Sequence, residues 1–520
     1  MNKIIMMNFK FLFFLLSTLF VFAACEKKED TPDIPEEPVE QVEGALKIFK
    51  FEKKYNPQLS TDVELTIYNN KNIAGHLNVT VDMKALIPTF DVEDGQLYCN
   101  DVLLKSGQST CDFSSIVSIV LLEDDGDKVD YKVMLLPYTG LPVVTICTEN
   151  ERFPQDKVSW VPTRIKIDGM GVFPDYTDSV GIRGRGNVTW GLPKQAFNMK
   201  LTNKDALLNM PNQKRWCFLA NWRDRTLLRN DVAFHIGQQT ALAWTPRSQF
   251  VEVIFNGVHM GNYQLTEQVR IDKNRVNIKE MKSEHTDAIK ITGGYLLEID
   301  SYWDEENKFK SATYNLPFNI KNPDADVLVP VQKEYIENYI NNIEDKLSKN
   351  EFAAAYNYLD MNSCVDYWIV QALTGNTEIV NPLSVYCYKE RSGKLFMGPL
   401  WDFDKSFSSV EAAYNGKTTL HYTSWWYNDL FKDTTFKTKV KNRFNELLPK
   451  LKDVPQYIQV KANYLSNSER LNWQKWQIDT TILDSTNGDE TIDNYQEAIN
   501  RMISIYNGRL ELLKGEIEKF

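Results

Sequence analysis

The sequence is short of cysteine and histidine, of positive charge and of long apolar runs, and each shortage removes a class of function. Its 520 residues include 7 Cys and 5 His, with no C-x-x-C pair and no H-E-x-x-H, so no zinc motif is present. The cysteines, at positions 25, 99, 111, 147, 217, 364 and 387, are too sparse for a disulfide-stapled mini-domain. Cys99 and Cys111 are spaced either to bridge a hairpin or to stay as buried thiols. Lys and Arg number 59 against 70 Asp and Glu, a formal charge of −11, so no overall basic face exists for phosphate backbones and no nucleic-acid partner is expected. What remains is an ordinary folded composition, 43% hydrophobic, 12% aromatic and 25% charged. At about 100–200 residues per domain it allows roughly two to four domains. No internal repeat is apparent.

The one long apolar run, Phe11 to Phe22 (FLFFLLSTLFVF), is too short for a ~30 Å hydrocarbon core but suits the apolar region of an export signal, with Lys3 and Lys10 at its flanks. It ends in Phe22-Ala23-Ala24-Cys25, which resembles a bacterial lipobox. That reading makes residues 1–24 a lipoprotein signal peptide and Cys25 the lipidated residue; a plain signal peptide is the other reading. Residues 25–44 form an acidic tether carrying Pro32, Pro35 and Pro38. Its start, Glu26-Lys27-Lys28-Glu29-Asp30, is similar to the surface-export tag of Bacteroidetes lipoproteins. The expected location is the outer membrane, exposed at the cell surface and attached to the membrane only through the N-terminal lipid.

Residues 45–142 read as short alternating strands broken by turns. Val63 to Tyr68, His76 to Val81, and the pair Ile116 to Leu122 and Tyr131 to Leu135 across Asp124-Asp125-Gly126-Asp127 predict a small β-sandwich. It resembles the Ig-like modules that precede catalytic or binding domains in surface proteins, and a spacer is the expected role. Residues 143–520 are mixed. Strands are predicted over Val161–Ile167, Gln195–Leu201, Tyr295–Ile299, Val385–Tyr388 and Leu395–Met397, with a hairpin of Phe250–Phe255 and His259–Leu265 around Asn256-Gly257. Helices are predicted over Arg225–Thr240, Val329–Lys349, Met361–Thr374 and repeatedly from Thr435 onward. Strands and helices do not alternate regularly, so the fold class is α+β.

Four clusters in this region could carry chemistry. Ile182-Arg183-Gly184-Arg185-Gly186-Asn187 followed by Lys194 concentrates positive charge among small residues, either as an anion site or as a tight turn with solvated charges. It is not a known phosphate loop, since Thr189 stands where G-x-G-x-x-G needs its third Gly; Gly416-Lys417-Thr418 likewise only mimics a Walker loop, with Glu411 in place of its first Gly. Asn221-Trp222-Arg223-Asp224-Arg225-Thr226 leads into a helix that Asp224 or Thr226 caps, leaving Arg223 and Arg225 for surface pairs. Glu267 is placed either to pair with Lys194 or to reach a metal, while Glu298 and Asp300 share one face of a strand. Trp401-Asp402-Phe403-Asp404 leaves a hairpin with two carboxylates suited to a hard divalent cation, downstream of Gly375-Asn376-Thr377-Glu378-Ile379-Val380-Asn381.

Taken in order, these segments resemble the CotH kinase family from roughly Val158 to Phe407, with the helical remainder to Phe520 as the rest of a larger lobe. The resemblance implies a divergent protein-kinase-like domain that transfers the γ-phosphate of ATP to Ser or Thr of a protein acceptor with Mg²⁺ or Mn²⁺. It implies Arg183, Arg185 and Lys194 at the ATP phosphates and Glu267 holding Lys194 or assisting the metal. Asp402 becomes the principal metal ligand, with Asp404 and Asn381 beside it; where the family has an Asp as catalytic base, the nearest candidates are Glu378 and Asn376. Glu is one methylene longer, which changes reach and angle. That departure keeps a second reading open, an inactive kinase-like protein that binds a host protein or glycan. A sugar-cleaving enzyme would need two carboxylates flanking a cleft, whereas the Arg/Lys cluster suits phosphate.

Overall fold

The structure is a computed structural model, which describes residues 45–520 apart from 412, 415, 416, 419, 421–423 and 484. The expectations for the signal segment, for Cys25 and for the tether therefore lie outside the described residues, as does Gly416 of the Walker-like triplet.

From Leu46 to Leu136 the chain forms eight strands, joined in the order Thr89–Val92, Leu46–Phe51, Val63–Ile67, Asn72–His76, Lys128–Leu136, Val117–Leu122, Gln96–Cys99 and Val102–Leu103. Period-two patterning puts Val117, Ile119 and Leu121 inside and Ser118 outside, and the inward residues gather with Phe49, Phe51, Ile73, Phe113 and Val133 in one core. The arrangement is consistent with a β-sandwich, and Cys99 is bridged to Cys111. The predicted strand over His76 to Val81 is not formed. Its neighbour in the sheet ends at Leu136, which pairs with His76, so the following residues have no ladder to join.

Val143–Thr148 opens a closed seven-stranded barrel, completed by Val161–Asp168, Tyr176–Arg185, Ala196–Leu207, Met210–Leu219, Val258–Glu267 and Ser248–Phe255. Ile146, Ile165, Val180, Ile182, Phe197, Trp216, Val251 and Leu265 fill its interior. Asn256 and Gly257 turn the last hairpin with positive φ of 46° and 78°, the conformation that matches strand twist in a two-residue loop. Its tip is wedged against the N-terminal sheet, where Asn70 Nδ2 donates to Asn256 O at 3.1 Å. Beside it, the Glu151 carboxylate accepts from the backbone N–H of Asn69 at 2.5 Å and of Asn70 at 2.8 Å. A Cβ on Gly257 would fall 2.7 Å from Asn72 Cβ. Gly257→Ala is therefore expected to cost about 1–2 kcal/mol in urea unfolding and to expose the connection between Leu136 and Val143 to limited proteolysis.

The rest is a five-stranded sheet, Lys308–Lys310, Pro317–Asn322, Tyr295–Ile299, Val385–Lys389 and Leu395–Met397, packed with helices Pro330–Ser348, Met361–Thr374, Thr434–Leu451, Val454–Lys475 and Tyr495–Glu518 around the largest core. The helix expected from Arg225 begins at Arg229 instead. The Asp224 carboxylate holds the preceding turn open by accepting from Thr226 N and Arg229 N, both at 2.8 Å. None of the described helices is long and apolar enough to cross a membrane.

Candidate functional site

Where one end of the barrel meets the five-stranded sheet, a cavity of about 380 Å³ is lined by Gly184, Arg185 and Lys194 from the barrel side. Glu298, Asp300 and Tyr386 line it from the sheet, and Glu378, Asp402, Asp404 and Lys405 from the loops between. Gly184 has no side chain because the ring of Trp190 lies 2.4 Å from where its Cβ would be. Carboxylate oxygens of Glu378, Asp402 and Asp404 lie within 4.8 Å of one another.

The backbone around the two aspartates is held from several directions. Phe403 is fully buried next to Phe234, which turns its neighbours toward the cavity. Asp402 sits at φ 59°, a left-handed conformation unusual for a residue with a Cβ, and its carbonyl accepts from Asn376 Nδ2 at 3.4 Å. Phe403 N donates to Asn230 Oδ1 at 2.8 Å. The Asp404 carbonyl accepts from Arg229 Nη1 at 2.9 Å and from Asn487 Nδ2 at 3.0 Å. Arg229, itself 1% exposed, is held by Asp224 at 3.4 Å and Asp489 at 2.5 Å. Glu378 comes from a short 3₁₀ turn, Thr377–Ile379, and its own N–H donates to the capping Asn376 Oδ1 at 3.2 Å.

Three carboxylates this close repel one another, and each has only partial access to water. Burial first, then the negative charge of Asp404, pushes the Asp402 carboxyl up to about 7. Burial and the charges of Asp402 and Asp404 raise Glu378 well above the carboxylate range, opposed by Lys405, whose Nζ is 3.3 Å from Glu378 Oε1. Glu378 Oε2 is buried without a hydrogen-bond partner. Asp300, raised to about 6 by burial and by Glu298, adds negative potential on the sheet side, and the Arg185 guanidinium lies 5.4 Å from the Trp401 ring centre. A hard divalent cation prefers oxygen donors and would relieve the repulsion, so the donor set fits Mg²⁺ or Mn²⁺.

Several sequence expectations are corrected by these positions. Arg183 does not line the cavity with Arg185, because Trp160 captures its guanidinium 4.4 Å from the ring centre and Val158 O accepts from Nη1 at 3.0 Å. Lys194 lines the cavity, but its ammonium is directed into the protein. Ala220 O and Asn472 Oδ1 accept from it at 2.8 Å each, Asn262 O accepts as well, and burial lowers its pKa to about 7. Glu267 does not pair with Lys194 and lies outside the cavity and its acidic cluster. It is fully buried and grips Arg247 through two bonds of 2.9 Å, with Arg275 at 3.8 Å, because both arginines approach from the loops at its end of the barrel. Asn381 is exposed and accepts from Ser301 Oγ at 3.1 Å, since the chain turns outward after the 3₁₀ turn, so it is not part of the acidic cluster. Arg223 and Arg225 are buried, not on the surface, and Arg225 pairs with Glu469 at 2.5 Å. Glu267→Gln is thus expected to lower stability by about 2–4 kcal/mol, read by urea unfolding, while leaving cation binding at the Asp402 cluster unchanged.

Lys405, Arg229, Asn230, Asn487 and Asp489 were not expected at the site. Adjacency to Asp404 marks Lys405 in the sequence; Asn487, more than eighty residues away, carries no local signal.

No curated protein matches the chain. Among known protein families, CotH kinase protein matches over residues 182–513, which includes the end of the barrel strand carrying Arg185, the Asp402 cluster and the helical part through most of Tyr495–Glu518. A match over more than half of the 520 residues, reaching from the first wall of the cavity to the last helix behind it, places the chain in the CotH kinase protein family.

Proposed function

We propose that this chain is an atypical protein kinase that transfers the γ-phosphate of ATP to Ser or Thr hydroxyls of a protein acceptor, acting at the cell surface from a lipid anchor at Cys25. The observation that carries the reading is the convergence of Glu378, Asp402 and Asp404 with Arg185 and Lys405 in one cavity. Anionic oxygens and fixed cations facing one another are what a metal-bound triphosphate requires on its two sides. A bound Mg²⁺ supplies charge neutralisation at the phosphate oxygens.

The remaining work belongs to the chain's own groups. Asp402, Asp404 and Glu378 would hold the cation, with Asp402 kept in its left-handed conformation by the Asn376 and Asn230 bonds to the peptide group that follows it. Arg185 is the cation of the Arg-Gly segment that lines the cavity and would face the phosphates, and the buried frame of Trp401 and Phe403 would exclude water from behind the carboxylates. Pre-positioned charge of this kind accounts for most catalysis in phosphoryl transfer, which needs little covalent participation from the protein. Calorimetry on the full-length protein is expected to show ATP binding that depends on Mg²⁺ or Mn²⁺, with transfer of labelled γ-phosphate to a Ser/Thr-rich acceptor. Absence of both binding and transfer sinks the catalytic reading.

A further inference from the structure

Lys405 lines the cavity beside the carboxylate cluster, a cation to which no step has yet been assigned. It follows the second aspartate directly, its side chain is 21% exposed, and its Nζ is 3.3 Å from Glu378 Oε1. Its positive charge also acts on Asp402. The carboxylates of Glu378, Asp402 and Asp404 converge within 4.8 Å, a spacing that mutual repulsion opposes unless positive charge stands close by. The Asp402 carboxyl has a second cation in range, Arg185, but that guanidinium lies over Trp401 and approaches from the barrel side.

We propose that Lys405 is a transferable counter-ion: its ammonium neutralises the carboxylate cluster before metal binds, yields Glu378 to the incoming divalent cation, and then contacts a phosphate oxygen of the nucleotide. The inference rests on the nucleotide reading above for its second half and on the cluster geometry alone for its first. A lysine suits this task better than an arginine. Its compact ammonium rides on a flexible four-carbon stem and carries no planar fork that would lock it to one carboxylate. The side chain lines the cavity and is partly exposed, so it belongs to the cavity wall and not to the packed core. A purely structural ion pair would lack this asymmetry, because it would favour the folded protein without competing with metal.

The competition gives two effects of opposite sign. In full-length Lys405→Met, which keeps the length and the apolar stem, Mn²⁺ binding without nucleotide, measured by electron paramagnetic resonance, is expected to tighten about three- to tenfold, because the metal no longer displaces a resident cation. Binding of a non-hydrolysable ATP analogue at saturating Mn²⁺, measured by calorimetry, is expected to weaken about tenfold, through loss of a charge-assisted bond. Lys405→Arg should restore much of the nucleotide affinity and keep the weaker Mn²⁺ binding of the native protein. Unchanged or weakened Mn²⁺ binding in Lys405→Met overturns the proposal, and so does unchanged nucleotide affinity. If the native protein binds Mn²⁺ but no nucleotide, the kinase reading and the phosphate contact fall together while the counter-ion role is still decided by the Mn²⁺ arm. If the native protein binds no Mn²⁺, the metal site itself is refuted and Lys405 with it.

Discussion

Asp402→Asn is expected to abolish phosphoryl transfer, by about a thousandfold or more, and at the same time to make the metal-free protein more stable at pH 8. The two effects have one origin. Burial and Asp404 hold the Asp402 carboxyl near 7, against an ordinary value of 3.8. Below about pH 4 the group is protonated in both folded and unfolded chains and costs nothing. As pH rises from about 4 to about 7, the unfolded chain ionises while the folded one resists, so stability is lost, by a few kcal/mol once both are charged. Asn keeps the shape without the charge and escapes this loss. The variant should therefore match the native protein in urea unfolding at pH 4 and exceed it at pH 8. Saturating Mn²⁺ should stabilise the native protein and leave the variant unmoved. A variant that is less stable at pH 8, or that gains as much from Mn²⁺ as the native chain, contradicts the assignment. Protons and metal compete for the same oxygens, so Mn²⁺ affinity of the native protein should also fall as pH drops below 7.

Arg229→Met is expected to cost about 3–5 kcal/mol and to cut metal affinity as well, through a different route. Arg229 is fully buried between Asp224 and Asp489, and its removal takes the shared counter-charge from both carboxylates, leaving Asp224 only its bonds from Thr226 and from the backbone N–H of residue 229. It also takes one of two donors from the Asp404 carbonyl and leaves Asn487 alone to hold it. Urea unfolding reports the first effect and Mn²⁺ titration of the protein that remains folded reports the second. Loss of stability with unchanged Mn²⁺ affinity would show that Arg229 serves packing only.

Much of the architecture was legible before the fold was known. The Asn256-Gly257 hairpin and the helix Met361–Thr374 appear where turn chemistry and periodicity put them, because both signals are local: an Asn-Gly turn between alternating runs, and apolar residues at helical spacing. The barrel was not legible. Its closure depends on Val143–Thr148 pairing in parallel with Ser248–Phe255, two strands a hundred residues apart, and no local pattern encodes that pairing. The strand expected over His76 to Val81 failed for a related reason, since alternation shows that a segment can pair but not whether a partner strand reaches it.

The candidate site divides along the same line. Amino-acid type and neighbour order alone determined which groups are capable of the chemistry: Asp402 and Asp404 around an apolar anchor, Glu378 upstream, and Arg185 among glycines. Tertiary structure decided which of them meet. Charged side chains are long and seek the nearest partner, so Trp160 claimed Arg183, Arg247 claimed Glu267, and three oxygen atoms claimed Lys194. Lys405 reached the cavity by adjacency, and Asn487 reached the Asp404 carbonyl behind it from across the fold. Burying an ion demands a partner at once, and that partner is chosen by proximity in space, which residue order does not record.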